Sequence, residues 1–87
     1  MKKIETLRKD IDKIDKKIVE LLSERLEIIK HLTPLKTTIQ DSGRESNILN
    51  RISEVDTLNS CYILPIFKEI FAQSKLMQKK IREDLDL

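Results

Sequence analysis

Over the first 32 residues, Ile4, Leu7, Ile11, Ile14, Ile18, Leu21, Ile28 and Leu32 follow one another at steps of three and four, with one gap at position 25. That spacing is a single face of an α-helix. No glycine or proline interrupts it before Pro34. A helix from about Lys3 to about Leu32 is roughly 45 Å long at 1.5 Å per residue. Nothing else in the 87-residue chain is as long, so its own segments cannot cover such a stripe. A second copy of the chain can, and the stripe therefore predicts a homodimer.

The length allows one domain, read here as residues 1–87. Domains this small are marginal on their own. Cys61 is the sole cysteine, which excludes an internal disulfide and a zinc cluster, and His31 is the sole histidine, which excludes a catalytic triad and a multi-histidine metal site. No metal or cofactor is expected. The 17 basic residues nearly balance the 15 acidic ones, so neither a nucleic acid nor a membrane is the expected partner. Met1-Lys2-Lys3 leads into mixed charge rather than an apolar run. With no secretory signal and no stretch long enough to span a bilayer, the expected location is the cytoplasm.

Pro34 cannot donate to the carbonyl of Lys30, and it pushes Thr33 away from helical angles. The first helix is expected to end or kink there. Gln40 to Gly43 read as a loop. Ser42-Gly43-Arg44-Glu45 fits a capping box, with Asp41 as the alternative cap. A second helix then carries Ile48, Leu49, Ile52 and Val55 on one face and ends near Leu58. Asn59 and Ser60 are cap candidates for a third, whose stripe is Ile63, Phe67, Ile70, Ser74, Met77 and Ile81. Pro65 near its first turn predicts a late start or a bend. The charged tail from Arg82 to Leu87 is expected to fray. The fold class is all-α, with three helices per chain and a long first helix.

Two stripes carry a polar residue where the period demands an apolar one. Arg25 fills the gap in the first, and a guanidinium buried there needs an anion, unless it snorkels to solvent or forms a structural ion pair. Ser74 fills the gap in the third, where a serine commonly bonds the carbonyl one turn back. Gln78 lies one turn after Ser74. Lys36 lies eleven residues after Arg25, close to three whole turns if the helix runs on. A pocket holding Arg25, Lys36, Ser74 and Gln78 follows, with Arg44 and Glu45 closing one end at a helix N-terminus that favours anions. Arg8 is roughly 25 Å from Arg25 along one helix, too far to share a small ligand within a chain. In an antiparallel dimer, Arg8 of one chain meets the Arg25 site of the other.

The blocks Leu7-Arg8-Lys9-Asp10-Ile11-Asp12-Lys13-Ile14-Asp15, Leu21-Leu22-Ser23-Glu24-Arg25 and Asp41-Ser42-Gly43-Arg44-Glu45 resemble the "LRxxIDxID", "LLxER" and "DxxRE" blocks of the all-helical chorismate mutases. Phe67 to Gln78 resembles the closing segment of that family, in which a serine precedes a glutamine by four residues. The blocks occur in order from about Ile4 to Gln78. The resemblance implies an intertwined homodimer that rearranges chorismate to prephenate for phenylalanine and tyrosine synthesis.

It also implies roles. Arg25, with Arg8 of the other chain, would hold substrate carboxylates. Lys36 and Gln78 would bond the ether oxygen of the breaking bond. Glu45 and the Asp41 backbone would hold the ring hydroxyl, and Arg44 and Ser74 would complete the ring-carboxylate end. Arg25, Lys36, Glu45 and Gln78 are the expected catalytic set. Two departures lie beside Lys36. The stretch from Lys36 to Asp41 is shorter than in family members by about one helical turn, and Pro34 sits where the first helix usually continues. A tighter connection that still delivers Lys36 is expected. The competing readings are an isochorismate-pyruvate lyase on the same fold and a non-catalytic helical dimerisation module.

Overall fold

The computed structural model describes residues 3–85. It contains three α-helices, α1 (Ile4–Leu32), α2 (Ser42–Val55) and α3 (Ser60–Asp84), and no strand occurs among the described residues. A single 3-10 turn, Thr33–Leu35, follows α1 directly.

Pro34 ends α1 by a different route from the one expected. Thr33 stays in the right-handed helical region, at φ −54° and ψ −45°. Its side chain is fully buried, and its hydroxyl donates to the Ile29 carbonyl at 2.6 Å. Burial and that bond offset the steric pressure from the proline ring. Pro34 itself occupies the start of the 3-10 turn, where a missing N–H is tolerated. The turn from helix to extended chain comes two residues after Pro34, at Lys36, with φ −87° and ψ 144°.

α2 is capped by Asp41, whose carboxylate accepts from the Arg44 amide at 3.0 Å. The Ser42–Glu45 capping box does not form, because the Glu45 carboxylate is bonded to Gln40 and Lys75 instead. α2 stops at Val55, three residues short of the expected end, and leaves Val55 and Leu58 exposed. Asp56 terminates it by accepting from the backbone and side-chain amides of Asn59, and these bonds hold the Asp56 carboxyl below its ordinary value. α3 neither starts late nor frays at Arg82. It begins at Ser60, takes Pro65 into its interior and runs to Asp84. Asp86 and Leu87, the end of the expected frayed tail, lie outside the described residues.

The single chain buries little. Ile29 and Phe71 are its only buried apolar side chains among the described residues. Along α1, Ile4, Leu7, Ile11, Ile14, Ile18, Leu21 and Ile28 are each between 46% and 68% exposed. The radius of gyration, 16.4 Å, exceeds the value of about 12 Å for a compact domain of this length. The cause is that α1 extends past the rest of the chain: α3 packs against its C-terminal part, and α2 packs against α3.

Thr33→Val keeps the shape and removes the hydroxyl bond at the end of α1. The expected loss of stability is about 1 kcal/mol, read from the midpoint of a urea titration.

Candidate active site

A cavity of about 600 Å³ lies between the C-terminal end of α1, the N-terminal half of α2 and the second half of α3. Of the eight side chains selected from the sequence, Arg25, Lys36, Asp41, Arg44, Glu45, Ser74 and Gln78 line it. Arg8 does not; it is exposed on the part of α1 that projects from the chain.

Arg25 spans from α1 to α3. Its Nη1 donates to the Ser74 hydroxyl at 2.9 Å, and its guanidinium lies 5.8 Å from the centre of the Phe71 ring. Ser74 can accept because its own proton goes to the Ile70 carbonyl at 2.8 Å. The back-bond and the Arg25 contact therefore coexist, each fixing the hydroxyl for the other. Burial, and then the nearby Arg44, lower the Arg25 pKa from its ordinary value. Both causes have the same origin: a cation held partly out of water beside another cation. No carboxylate among the described residues pairs with Arg25, so the structural ion pair considered from the sequence is not what holds it.

Lys36 reaches the cavity from extended chain, not from a continued helix. Its ammonium donates to the Gln78 side-chain carbonyl at 3.2 Å and to the Ile39 backbone carbonyl at 3.1 Å. With Gln78 Oε1 accepting from Lys36, the amide nitrogen of Gln78 is the donor left for a bound molecule. The two side chains thus stand together as a pair of donors on one wall.

At the opposite end, Lys75 donates to Glu45 at 3.2 Å and to Gln40 at 3.0 Å, and the Gln40 amide donates to the other Glu45 oxygen at 3.0 Å. Lys75 was not singled out from the sequence. It lies one residue off the α3 stripe, where a lysine reads as a solvated charge, and only the packing of α2 against α3 brings it to Glu45. Ile28, Ile29, Leu32, Ile39, Ile48 and Phe71 supply an apolar lining. Four cations, Arg25, Lys36, Arg44 and Lys75, face two carboxylates, Asp41 and Glu45, for a formal cavity charge of +2. Glu45 is paired with Lys75, and Asp41 caps α2. Arg25, Lys36 and Arg44 have no carboxylate partner among the described residues. The cavity thus carries a net positive charge that its own carboxylates do not offset.

The sequence profile of the chorismate mutase type II family matches residues 7–79. The chain belongs to this family. A chorismate mutase of Methanocaldococcus jannaschii is 30% identical over 97% of this chain and 92% of its own length. Two bifunctional chorismate mutase/prephenate dehydratases of Buchnera aphidicola, from the Schizaphis graminum and Acyrthosiphon pisum subspecies, are 32% and 35% identical over 87% and 85% of the chain. The chain spans about a fifth of the length of these bifunctional relatives, 22% and 21%. No solved structure matches it. All eight selected residues, Arg8 included, fall inside the span matched by the chorismate mutase profile.

Since Arg25 has no carboxylate partner and sits beside Arg44, removing its charge relieves the unliganded chain. Arg25→Met is expected to unfold at the same or a higher urea concentration than the parent while losing anion binding. A structural ion pair would instead predict a loss of about 3–5 kcal/mol on breaking it.

Proposed function

We propose that this chain is a chorismate mutase that works as a homodimer, rearranging chorismate to prephenate in the cavity described above. The observation that carries the reading is the set of cations in that cavity, Arg25, Lys36 and Arg44, with no carboxylate of the chain to neutralise them. Chorismate is a dianion, and a formal charge of +2 complements it.

The reaction asks little of a protein chemically. One carbon–oxygen bond breaks as one carbon–carbon bond forms, within a single molecule, with no nucleophile and no proton transfer. What accelerates it is the removal of conformational freedom from the enolpyruvyl arm. In this reading Arg25 grips one substrate carboxylate, and Arg44 takes part at the ring-carboxylate end with Ser74. Charge builds on the ether oxygen as its bond breaks. The Lys36 ammonium and the Gln78 amide, already held side by side at 3.2 Å, stabilise that charge more than they stabilise the ground state. Glu45, oriented by Lys75 and Gln40, accepts from the ring hydroxyl, and the Asp41 backbone lies beside it.

The dimer reading rests on the bare face of α1. Its apolar stripe runs from Ile4 to Ile28 and is centred on residue 16, and no segment of the described chain covers it. A second α1 laid antiparallel about an axis near Lys16 and Lys17 buries both stripes. It also brings Arg8 opposite Arg25, so the partner chain completes each cavity. The same burial supplies the stability that a core of Ile29 and Phe71 cannot. No described helix is long and apolar enough to cross a membrane, and the reading places the single domain 1–87 in the cytoplasm.

The test is to incubate the purified protein with chorismate, and separately with isochorismate, and to identify the products by NMR. Prephenate from chorismate, with Lys36→Ala losing orders of magnitude in turnover, is the expected result. Salicylate and pyruvate from isochorismate alone would make it a lyase. No turnover of either would leave a dimerisation module. A Lys36→Ala loss of twofold or less would overturn the role given to that residue.

The shared site has its own test. Arg8→Ala and Arg25→Ala proteins are each expected to be nearly inactive. Refolded together in equal amounts, half the dimers are mixed and one of the two sites in each is intact, so activity should recover to about a quarter of the parent value. No recovery would place Arg8 outside the site.

A further inference from the structure

Lys36 lies on a segment, residues 36–41, that has no helix or strand of its own. A donor that must meet one oxygen atom is poorly served by a loose loop. Only one side chain of α2 or α3 bonds the backbone of residues 36–40 among the described residues, and it is Arg82. Its Nη2 donates to the Lys36 carbonyl at 2.5 Å and its Nη1 to the Thr37 carbonyl at 3.3 Å. Its Nε is buried without a hydrogen-bond partner among the described residues. Arg82 thus leaves one donor unused inside the protein while two others hold consecutive carbonyls.

Gln78 and Arg82 stand one turn apart on the same face of α3. Gln78 takes the ammonium of Lys36, and Arg82 takes its backbone. We propose that Arg82 is a positioning residue that sets the Lys36 ammonium beside Gln78, in place of the helical continuation that Pro34 prevents. The rigid fork of a guanidinium suits this work, because two nitrogens on two successive carbonyls fix the two peptide planes that flank Thr37. Arg82 lies three residues beyond the span matched by the family profile, which ends at residue 79. The clamp rests on the reading of Lys36 as the donor to the ether oxygen.

The experiment compares Arg82→Met and Arg82→Lys with the parent and repeats Arg82→Met in a Lys36→Ala background. Arg82→Met is expected to lower kcat by about tenfold to a hundredfold, the scale of a misplacement near 1 Å, with KM within about threefold. Arg82→Lys, able to hold one carbonyl, should fall between. In the Lys36→Ala background Arg82→Met should cost twofold or less, since effects routed through one residue are not additive. Amide exchange at Lys36, whose N–H donates to the Thr33 carbonyl at 3.3 Å, should accelerate in Arg82→Met, with α1 and α2 unchanged.

Turnover within twofold of the parent, or an equal loss in both backgrounds, overturns the proposal. If Arg82→Met fails to fold, Arg82→Ala with added guanidinium takes its place: recovery of kcat by guanidinium but not by ammonium supports the clamp, and no recovery rejects it. A Lys36→Ala loss of twofold or less defeats the site reading instead, and the exchange rates then still report whether Arg82 holds the segment.

Discussion

The contact between Arg25 and Ser74 is the one on which the cavity depends. It is the sole side-chain hydrogen bond joining α1 to α3 among the described residues. An aliphatic pair at these positions would close the two helices on each other. A carboxylate at position 74 would neutralise Arg25 and fill the space. A serine does neither. It is short enough to leave room, and its proton is committed to Ile70, so it offers Arg25 an acceptor without a charge. The guanidinium is held in place and left electrically unsatisfied, which is the state a site for an anion requires.

That arrangement also accounts for how the rest of the chain is used. The C-terminal end of α1 is given over to polar and cavity-lining residues, and of its apolar side chains only Ile29 is buried. α2 and α3 are likewise turned toward the cavity. The apolar surface that would stabilise a monomer is displaced to the projecting part of α1, where no segment of the described chain covers it. The sparse core of the single chain and the openness of the cavity are two consequences of one distribution of apolar residues. Under the proposed function the rearrangement needs positioning and two donors rather than a titrating base, and this cavity offers both.

Much of this was legible from periodicity. The stripe from Ile4 to Leu32 forms one helix because nothing in it opposes helical angles, and Arg25 and Ser74 stand out because they break an apolar period. Local signals were less dependable where tertiary contacts competed with them. Ser42 and Glu45 satisfy the pattern of a capping box, but Glu45 has better partners in Lys75 and Gln40, and Asp41 takes the cap. Thr33 should leave helical angles before a proline, but its burial and its bond to Ile29 keep it there. Helical spacing puts Lys36 on the face of Arg25 only if the helix continues. Lys36 reaches Gln78 from extended chain instead, and the length of a lysine stem makes the two routes converge.

The sequence by itself determined the three helices, the break at Pro34 and the polar residues set into apolar faces, because each follows from the spacing of side chains along a helix whose geometry is fixed. It also determined that the first helix could not be covered by its own chain. Only the tertiary structure decided which charges are paired and which are left over. Lys75 neutralises Glu45, and Arg82 holds the backbone of Lys36, where a charged tail had suggested a frayed end. Both contacts bridge at least 30 residues of sequence and join side chains whose local surroundings read as solvent. Electrostatic pairing depends on distance in space, and no pattern of neighbours along the chain contains it.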